Sequence, residues 1–109
     1  MKRLLLILLF ITGVCFAQKY EGMEFYDNGK PKSFKTYKVS KGKIELVKAI
    51  TWHDNGQKKQ EETYKDGKED GLSTTWHENG QKLHERTYKD GKRISIKCWD
   101  WDGNEKDCN

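Results

Sequence analysis

The chain has 109 residues, 35% of them charged and 34% apolar, with a formal net charge of +4. That length holds one domain and excludes a large multi-domain enzyme. So low an apolar share with so much charge would suit a disordered chain, yet 12% aromatics and regularly placed glycines argue for a folded, core-poor object.

The first element is a targeting segment. Lys2 and Arg3 form a basic start, Leu4 to Val14 an apolar run, and Cys15-Phe16-Ala17 puts small residues where a signal peptidase cuts. Residues 1–17 are expected to be a signal peptide cleaved before Gln18, leaving 18–109 as the exported domain. The apolar run is too short for a membrane-spanning helix of about 20 residues. Lipidation at Cys15 is the rival reading, against which stands Val14, a larger residue than usually precedes a lipidated cysteine. Loss of Lys2 and Arg3 lowers the formal charge from +4 to +2. The remaining charges are interspersed, with no basic stripe or tail of the kind a nucleic-acid binder shows.

Repeats fill the rest of the chain, at about 25–51, 52–75 and 76–98, with a partial copy at 99–108. Thr51 to Thr74 reads TWHDNGQKKQEETYKDGKEDGLST, and Thr75 to Cys98 reads TWHENGQKLHERTYKDGKRISIKC. The period of 24 carries Trp52 to Trp76, Gly56 to Gly80, Tyr64 to Tyr88 and Gly67 to Gly91. A looser first copy keeps Phe25, Asn28-Gly29, Tyr37 and Gly42, and the last keeps Trp99 and Asp102-Gly103. Self-similarity at a fixed period marks a repeat architecture.

Each copy also halves into units of about 12 residues, an aromatic followed by a turn glycine. Asn28-Gly29, Asn55-Gly56, Asp66-Gly67, Asn79-Gly80 and Asp90-Gly91 are the dipeptides that two-residue type I′ hairpin turns favour, because both central residues need positive φ. Short strands between such turns predict an all-β, single-layer twisted antiparallel meander of about eight strands.

These turns fix a register. Asn55-Gly56 sets Trp52 opposite Lys59, and Asp66-Gly67 sets Leu72 opposite Glu61. Asn79-Gly80 sets Trp76 opposite Leu83 and Leu72 opposite Thr87. Asp90-Gly91 sets Thr87 opposite Ile94, Glu85 opposite Ile96 and Leu83 opposite Cys98. Opposed residues project to one side of a sheet. One face is thus expected to collect Ile44, Leu46, Ile50, Trp52, Leu72, Trp76, Leu83, Ile94 and Ile96, with Met23, Phe25 and Phe34 from the first copy. The other is expected to collect His53, Tyr64, His77, His84, Arg86, Tyr88 and Trp99.

The spacing of Tyr-Lys-Asp-Gly-Lys and Trp-His-Glu-Asn-Gly-Gln-Lys resembles the variant MORN repeat of bacteria, over about residues 20–106. Such repeats recur in exported proteins and in proteins described as antitoxin-like, so the resemblance implies an interaction module. Standard MORN units have more glycines and a tyrosine at each unit start; phosphoinositide binding is therefore not carried over.

Chemical motifs are sparse. Cys98 and Cys108 flank Gly103, and in an oxidising compartment a hairpin centred there would join them in a disulfide. His77 and His84 lie near each other across a hairpin, but no third metal ligand stands at a fixed spacing. Asp100, Asp102 and Asn104 surround Gly103 as a turn does, with the glycine misplaced for a calcium loop. No serine, cysteine or aspartate is placed with a histidine as an activated nucleophile. No enzyme, cofactor or metal site is expected.

A one-layer sheet cannot hide its own apolar face. Ile50, Trp52, Leu72, Trp76, Leu83, Ile94 and Ile96 are therefore expected to bind another protein or a second copy of this chain. Stacking of Tyr64, Tyr88 and Trp99 on envelope polysaccharide or lipid headgroups is the alternative; a membrane-surface role is less favoured.

Overall fold

The computed structural model describes the backbone of residues 5–11 and 18–109, and the side chains from Lys19 onward. Among the described residues ten strands follow one another: β1 (Leu5–Ile11), β2 (Gln18–Phe25), β3 (Pro31–Ser40), β4 (Lys43–Trp52), β5 (Lys58–Lys65), β6 (Lys68–Glu69), β7 (Gly71–Trp76), β8 (Lys82–Lys89), β9 (Lys92–Trp99) and β10 (Glu105–Lys106). They form one antiparallel sheet in chain order, with the short β6 paired to β5 beside the main path. The described residues include no helix. This is the all-β meander that the turn spacing predicts, with ten strands in place of about eight. The expected cleavage site and Cys15 lie outside the described residues. Part of the expected signal peptide is β1, whose backbone pairs with β2 from Leu5 opposite Glu24 to Ile11 opposite Gln18.

Two kinds of turn alternate along the sheet. At Asp66-Gly67 and Asp90-Gly91 both residues have positive φ, as a type I′ turn requires. Lys41-Gly42 does the same, although lysine gives no sequence signal for that conformation. The Asn-Gly sites are different, which corrects the expectation of two-residue turns there. Only their glycines have positive φ. His53 N–H donates to the Gln57 carbonyl at 2.8 Å and Gly56 N–H to the His53 carbonyl at 3.0 Å, enclosing Asp54-Asn55-Gly56. The same pattern closes the loops at 26–30, 77–81 and 100–104. A three-residue loop of this kind ends in a left-handed residue, supplied here by glycine.

Bulges then decide which side chains share a face. Leu72 pairs with Thr87, as expected, and Ile50 with Glu61. Beside the three-residue loops, Lys32, Lys59 and Leu83 are left unpaired, so that Trp52 meets Lys58 and Trp76 meets Lys82. These pairings replace the expected Trp52–Lys59 and Trp76–Leu83 pairs. Between β5 and β7 the pairing slips by two residues: Glu61 meets Thr74, not Leu72. An even slip leaves every side chain on its own face. Between β8 and β9 the slip is odd. Tyr88 pairs with Arg93 but Thr87 with Ser95, leaving Ile94 unpaired. Ile96 is consequently opposite Arg86 and Cys98 opposite His84, in place of Glu85 and Leu83. An extra Val47 has the same effect between β3 and β4, and pairs Leu46 with Tyr37 and Ile44 with Val39.

The result is a sheet with two unlike faces. A tryptophan face carries Met23, Phe34, Ile50, Trp52, Leu72, Trp76 and Trp99. A tyrosine face carries Tyr20, Tyr37, Leu46, Tyr64, Ser73, His84, Arg86, Tyr88, Ile96 and Cys98. Burial is thin. The buried residues are small ones (Ser33, Ala49, Ser73, Thr74 and Cys98), and no large side chain among the described residues is fully enclosed. Backbone pairing, cross-strand contacts and loop stacking take the place of an ordinary core.

Candidate interaction surface

The repeat places its tryptophans at strand ends. Trp52 closes β4, Trp76 closes β7 and Trp99 closes β9, while Lys58 opens β5 and Lys82 opens β8. Tryptophan and lysine therefore alternate along one end of the tryptophan face. The Lys58 ammonium lies 5.4 Å from the Trp76 ring centroid, and that of Lys82 lies 5.4 Å from the Trp99 centroid. Each such cation–ring contact is worth about 0.5–1 kcal/mol at an exposed site. Carboxylates hold the lysines in place. Glu61 receives Lys58 at 2.9 Å and Lys48 at 3.1 Å, and Lys82 pairs with Glu85. The hydrogen bond from Lys58 is the largest influence on the Glu61 carboxyl, and together with the Lys48 hydrogen bond and the two ammonium charges it outweighs burial and keeps the carboxyl below its ordinary value. The pattern Lys-x-x-Glu recurs 24 residues apart, at Lys58–Glu61 and Lys82–Glu85; it is the signal in the sequence that marks these residues, which the apolar pattern alone passes over.

A second ladder joins the loops behind this line. The residue after each strand-end aromatic reaches the main chain of the next repeat. Tyr26 donates to the Trp52 carbonyl at 2.6 Å, His53 meets the Trp76 carbonyl at 3.1 Å, and His77 meets the Trp99 carbonyl at 3.3 Å. Asparagines add a parallel rung. Asn28, Asn55 and Asn79 donate from Nδ2 to the carbonyls of Asp54, Glu78 and Trp101 at 3.1, 2.8 and 2.8 Å. Their Oδ1 atoms accept from Lys30, Gln57 and Gln81 N–H in their own loops. Glycine is needed where the loops stack: at Gly80, with φ of 91°, a Cβ would meet the Gln57 side chain at 3.1 Å. His53 and His77 are thereby accounted for as structural rungs.

The tyrosine face holds a polar network of its own. Tyr64 donates to Glu62 at 2.9 Å, and burial followed by that carboxylate pushes the phenol above its ordinary range. Glu69, opposite Tyr64, is also raised, first by burial and then by its hydrogen bond with Glu62. Arg86 donates to His84 Nε2 at 2.9 Å, which leaves the imidazole proton on Nδ1. Burial, then the Arg86 charge, lowers the His84 pKa. His84 Nδ1 and Ser73 Oγ are buried without a hydrogen-bond partner. Among the described residues, no three His, Cys, Asp or Glu side chains are grouped so as to hold a metal.

The expected partner-binding residues divide. Ile50, Trp52, Leu72 and Trp76 share the tryptophan face, and Leu83 is the unpaired residue of the bulge opposite Trp76. Ile96 moves to the tyrosine face beside Arg86, and Ile94 sits on the β9 bulge, 63% exposed. Ile44 and Leu46 likewise belong with the tyrosines. Trp99 makes the opposite move: the odd slip puts it with Trp52 and Trp76, while Tyr64 and Tyr88 stay on the other side. The stacking set of Tyr64, Tyr88 and Trp99 is therefore not one surface. Cys98 and Cys108 are joined, with Cα atoms 5.3 Å apart. The hairpin is centred on Asp102, with Lys106 opposite Cys98, so Cys108 closes the bridge from beyond the paired strand.

Against known families, residues 47–66 and 69–90 each match the family model of the MORN repeat variant. The first match runs from β4 to the start of the Asp66-Gly67 turn, and the second from β6 to Asp90 at the next such turn. A repeat of this family suggests a module for protein interaction. No curated protein and no solved structure matches the chain.

Proposed function

We propose that the chain is an exported, non-enzymatic interaction module whose tryptophan face binds another protein. The observation that carries this reading is the line of Trp52, Trp76 and Trp99 on one side of a one-layer sheet. The rings are half-buried, Leu72 beside them is 52% exposed, and no second layer covers them among the described residues. Tryptophan is among the residues most enriched at protein-binding hot spots. The basic start and apolar run of residues 2–14 support export. Neutralisation of a partner, in the manner of an antitoxin or immunity protein, is a form of this function that the likeness to variant MORN repeats suggests.

Alignment of the three indoles also suits stacking on a polysaccharide. Lysine ammoniums already lie over the Trp76 and Trp99 rings, however, which favours a protein partner. The test is affinity capture from envelope extract with the wild-type chain and with Leu72→Glu and Trp76→Gln. Partner recovery should fall by about tenfold or more in each variant, with unchanged circular dichroism. Undiminished capture by both folded variants would refute the reading, and binding of purified glycan that depends on the same tryptophans would transfer it to the polysaccharide.

A further inference from the structure

The two edges of the sheet are closed in different ways. At the C-terminal edge, β10 has two residues, both charged, and the Cys98–Cys108 bridge ties the chain back onto β9. Short charged strands are a common protection against unwanted pairing. At the opposite side β2 is eight residues long, and its outer edge pairs with Leu5–Ile11 through seven consecutive residue pairs. Removal of residues 1–17 would take that covering strand away and leave a long edge with unpaired main-chain groups.

We infer that the outer edge of β2 is an acceptor for an extended apolar strand of a partner protein, which joins the sheet in the place Leu5–Ile11 holds in the full chain. The inference rests on the export reading, since the edge opens only when the leader is cut. A pocket of about 420 Å³ adjoins this edge, with Tyr20, Gly22, Tyr37 and Ile44 in its walls. Ile44 is 66% exposed there. In strand addition, main-chain hydrogen bonds supply affinity, and pockets that receive alternate side chains supply selectivity. The register sets Ile7 opposite Gly22 and Leu9 opposite Tyr20, so alternate positions of an added strand fall beside residues that line the pocket.

The chemistry of the occupant follows from the two strands available for comparison. Leu5–Ile11 reads LLILLFI, apolar at every position. A second copy of β2 fits less well. Two-fold antiparallel pairing sets one residue opposite its own copy. At the centre of β2 this means Glu21 against Glu21, a like-charge pair, or Gly22 against Gly22, with no side-chain contact. An apolar strand meets neither obstacle.

The test uses the full-length chain, expressed with its own leader in an exporting host and recovered from the exported fraction. Intact mass comes first. Retention of residues 1–17 overturns the inference through the export reading, because the edge then stays covered. With the processed protein, the probe is a peptide of Leu5–Ile11 flanked by two lysines at each end. Saturable binding is expected, with hydrogen-exchange protection gained along Gln18–Phe25 and not at the ends of β4, β7 and β9. Ile44→Lys in the protein, and separately Ile7→Lys with Leu9→Lys in the probe, should each weaken binding by about tenfold. The probe variant leaves the protein untouched, so that loss cannot come from misfolding. No protection of β2 in the processed protein, or a dimer in light scattering with β2 protected before any probe is added, overturns the inference while export stands.

Discussion

His53 is bonded to the backbone of Trp76, its Nε2 3.1 Å from the carbonyl oxygen one repeat ahead. Nε2 must carry the proton to donate there. In the first repeat the hydroxyl of Tyr26 serves the same purpose toward Trp52, so the position calls for a donor at the end of a ring and not for a histidine as such. His53→Ala should lower stability by about 1 kcal/mol, and His53→Tyr should recover most of it. Thermal unfolding of the two variants checks this; equal losses would show that the bond contributes nothing. Added zinc or chelator should move neither melting curve.

Asn79 acts with both ends of its amide, accepting from Gln81 and donating to Trp101. Asn79→Asp keeps the acceptor and removes the donor. It should cost about 0.5–1.5 kcal/mol, measured by denaturant unfolding, whereas Asp102→Asn in the last loop should change little. A neutral Asn79→Asp would mean that the rung between loops is not energetically coupled.

The acid side of the stability curve should report His84. Its imidazole accepts from Arg86 and is kept neutral, with a pKa below the ordinary 6.5 through burial and then the Arg86 charge. The unfolded chain takes up the proton first as the pH falls. The contribution of His84 is therefore complete above 6.5 and is lost progressively below it, toward the lower folded value. Melting temperatures between about pH 7 and 5 should fall less steeply in His84→Gln than in the wild type. Parallel curves would assign the acid sensitivity to other groups.

Cys98 and Cys108 are separated by 10 residues in sequence, and their bridge closes the terminal hairpin. Reduction, or Cys98→Ser with Cys108→Ser, should cost about 2–3 kcal/mol. Calorimetry of oxidised and reduced protein gives the difference directly. No change on reduction would mean that β10 adds no cooperative stability.

The 24-residue period makes the meander legible, because Asp66-Gly67 and Asp90-Gly91 can close only as tight hairpins when both residues take positive φ. Asn55-Gly56 looks alike in sequence and differs in fact. Its asparagine is selected for the hydrogen bonds of its side chain, and a dipeptide reading attributes to backbone conformation what belongs to the next repeat. Face assignment depends on something subtler, the parity of a slip. Asp70-Gly71 absorbs two residues, with Gly71 at φ of 92°, and the faces persist. Ile94 absorbs one, so every residue after it in β9 changes sides. Nothing in RISI announces a bulge, since each residue there is an acceptable strand former. Trp99 is the residue most affected: it leaves the tyrosines and completes the tryptophan line.

The ladder between loops runs in one direction. Each repeat donates forward through its ring and its asparagine, and the last loop presents Asp100 and Asp102 in their place, carboxylates with no N–H to pass on. Growth is thus chemically stopped at one end but not in the middle. A duplicate of 51–74 inserted ahead of Thr75 would find both a donor and an acceptor waiting, and would widen the sheet by two strands, about 9–10 Å. The width of a sheet of this build changes by whole divisions, and a gene duplication resets it without redesigning either end.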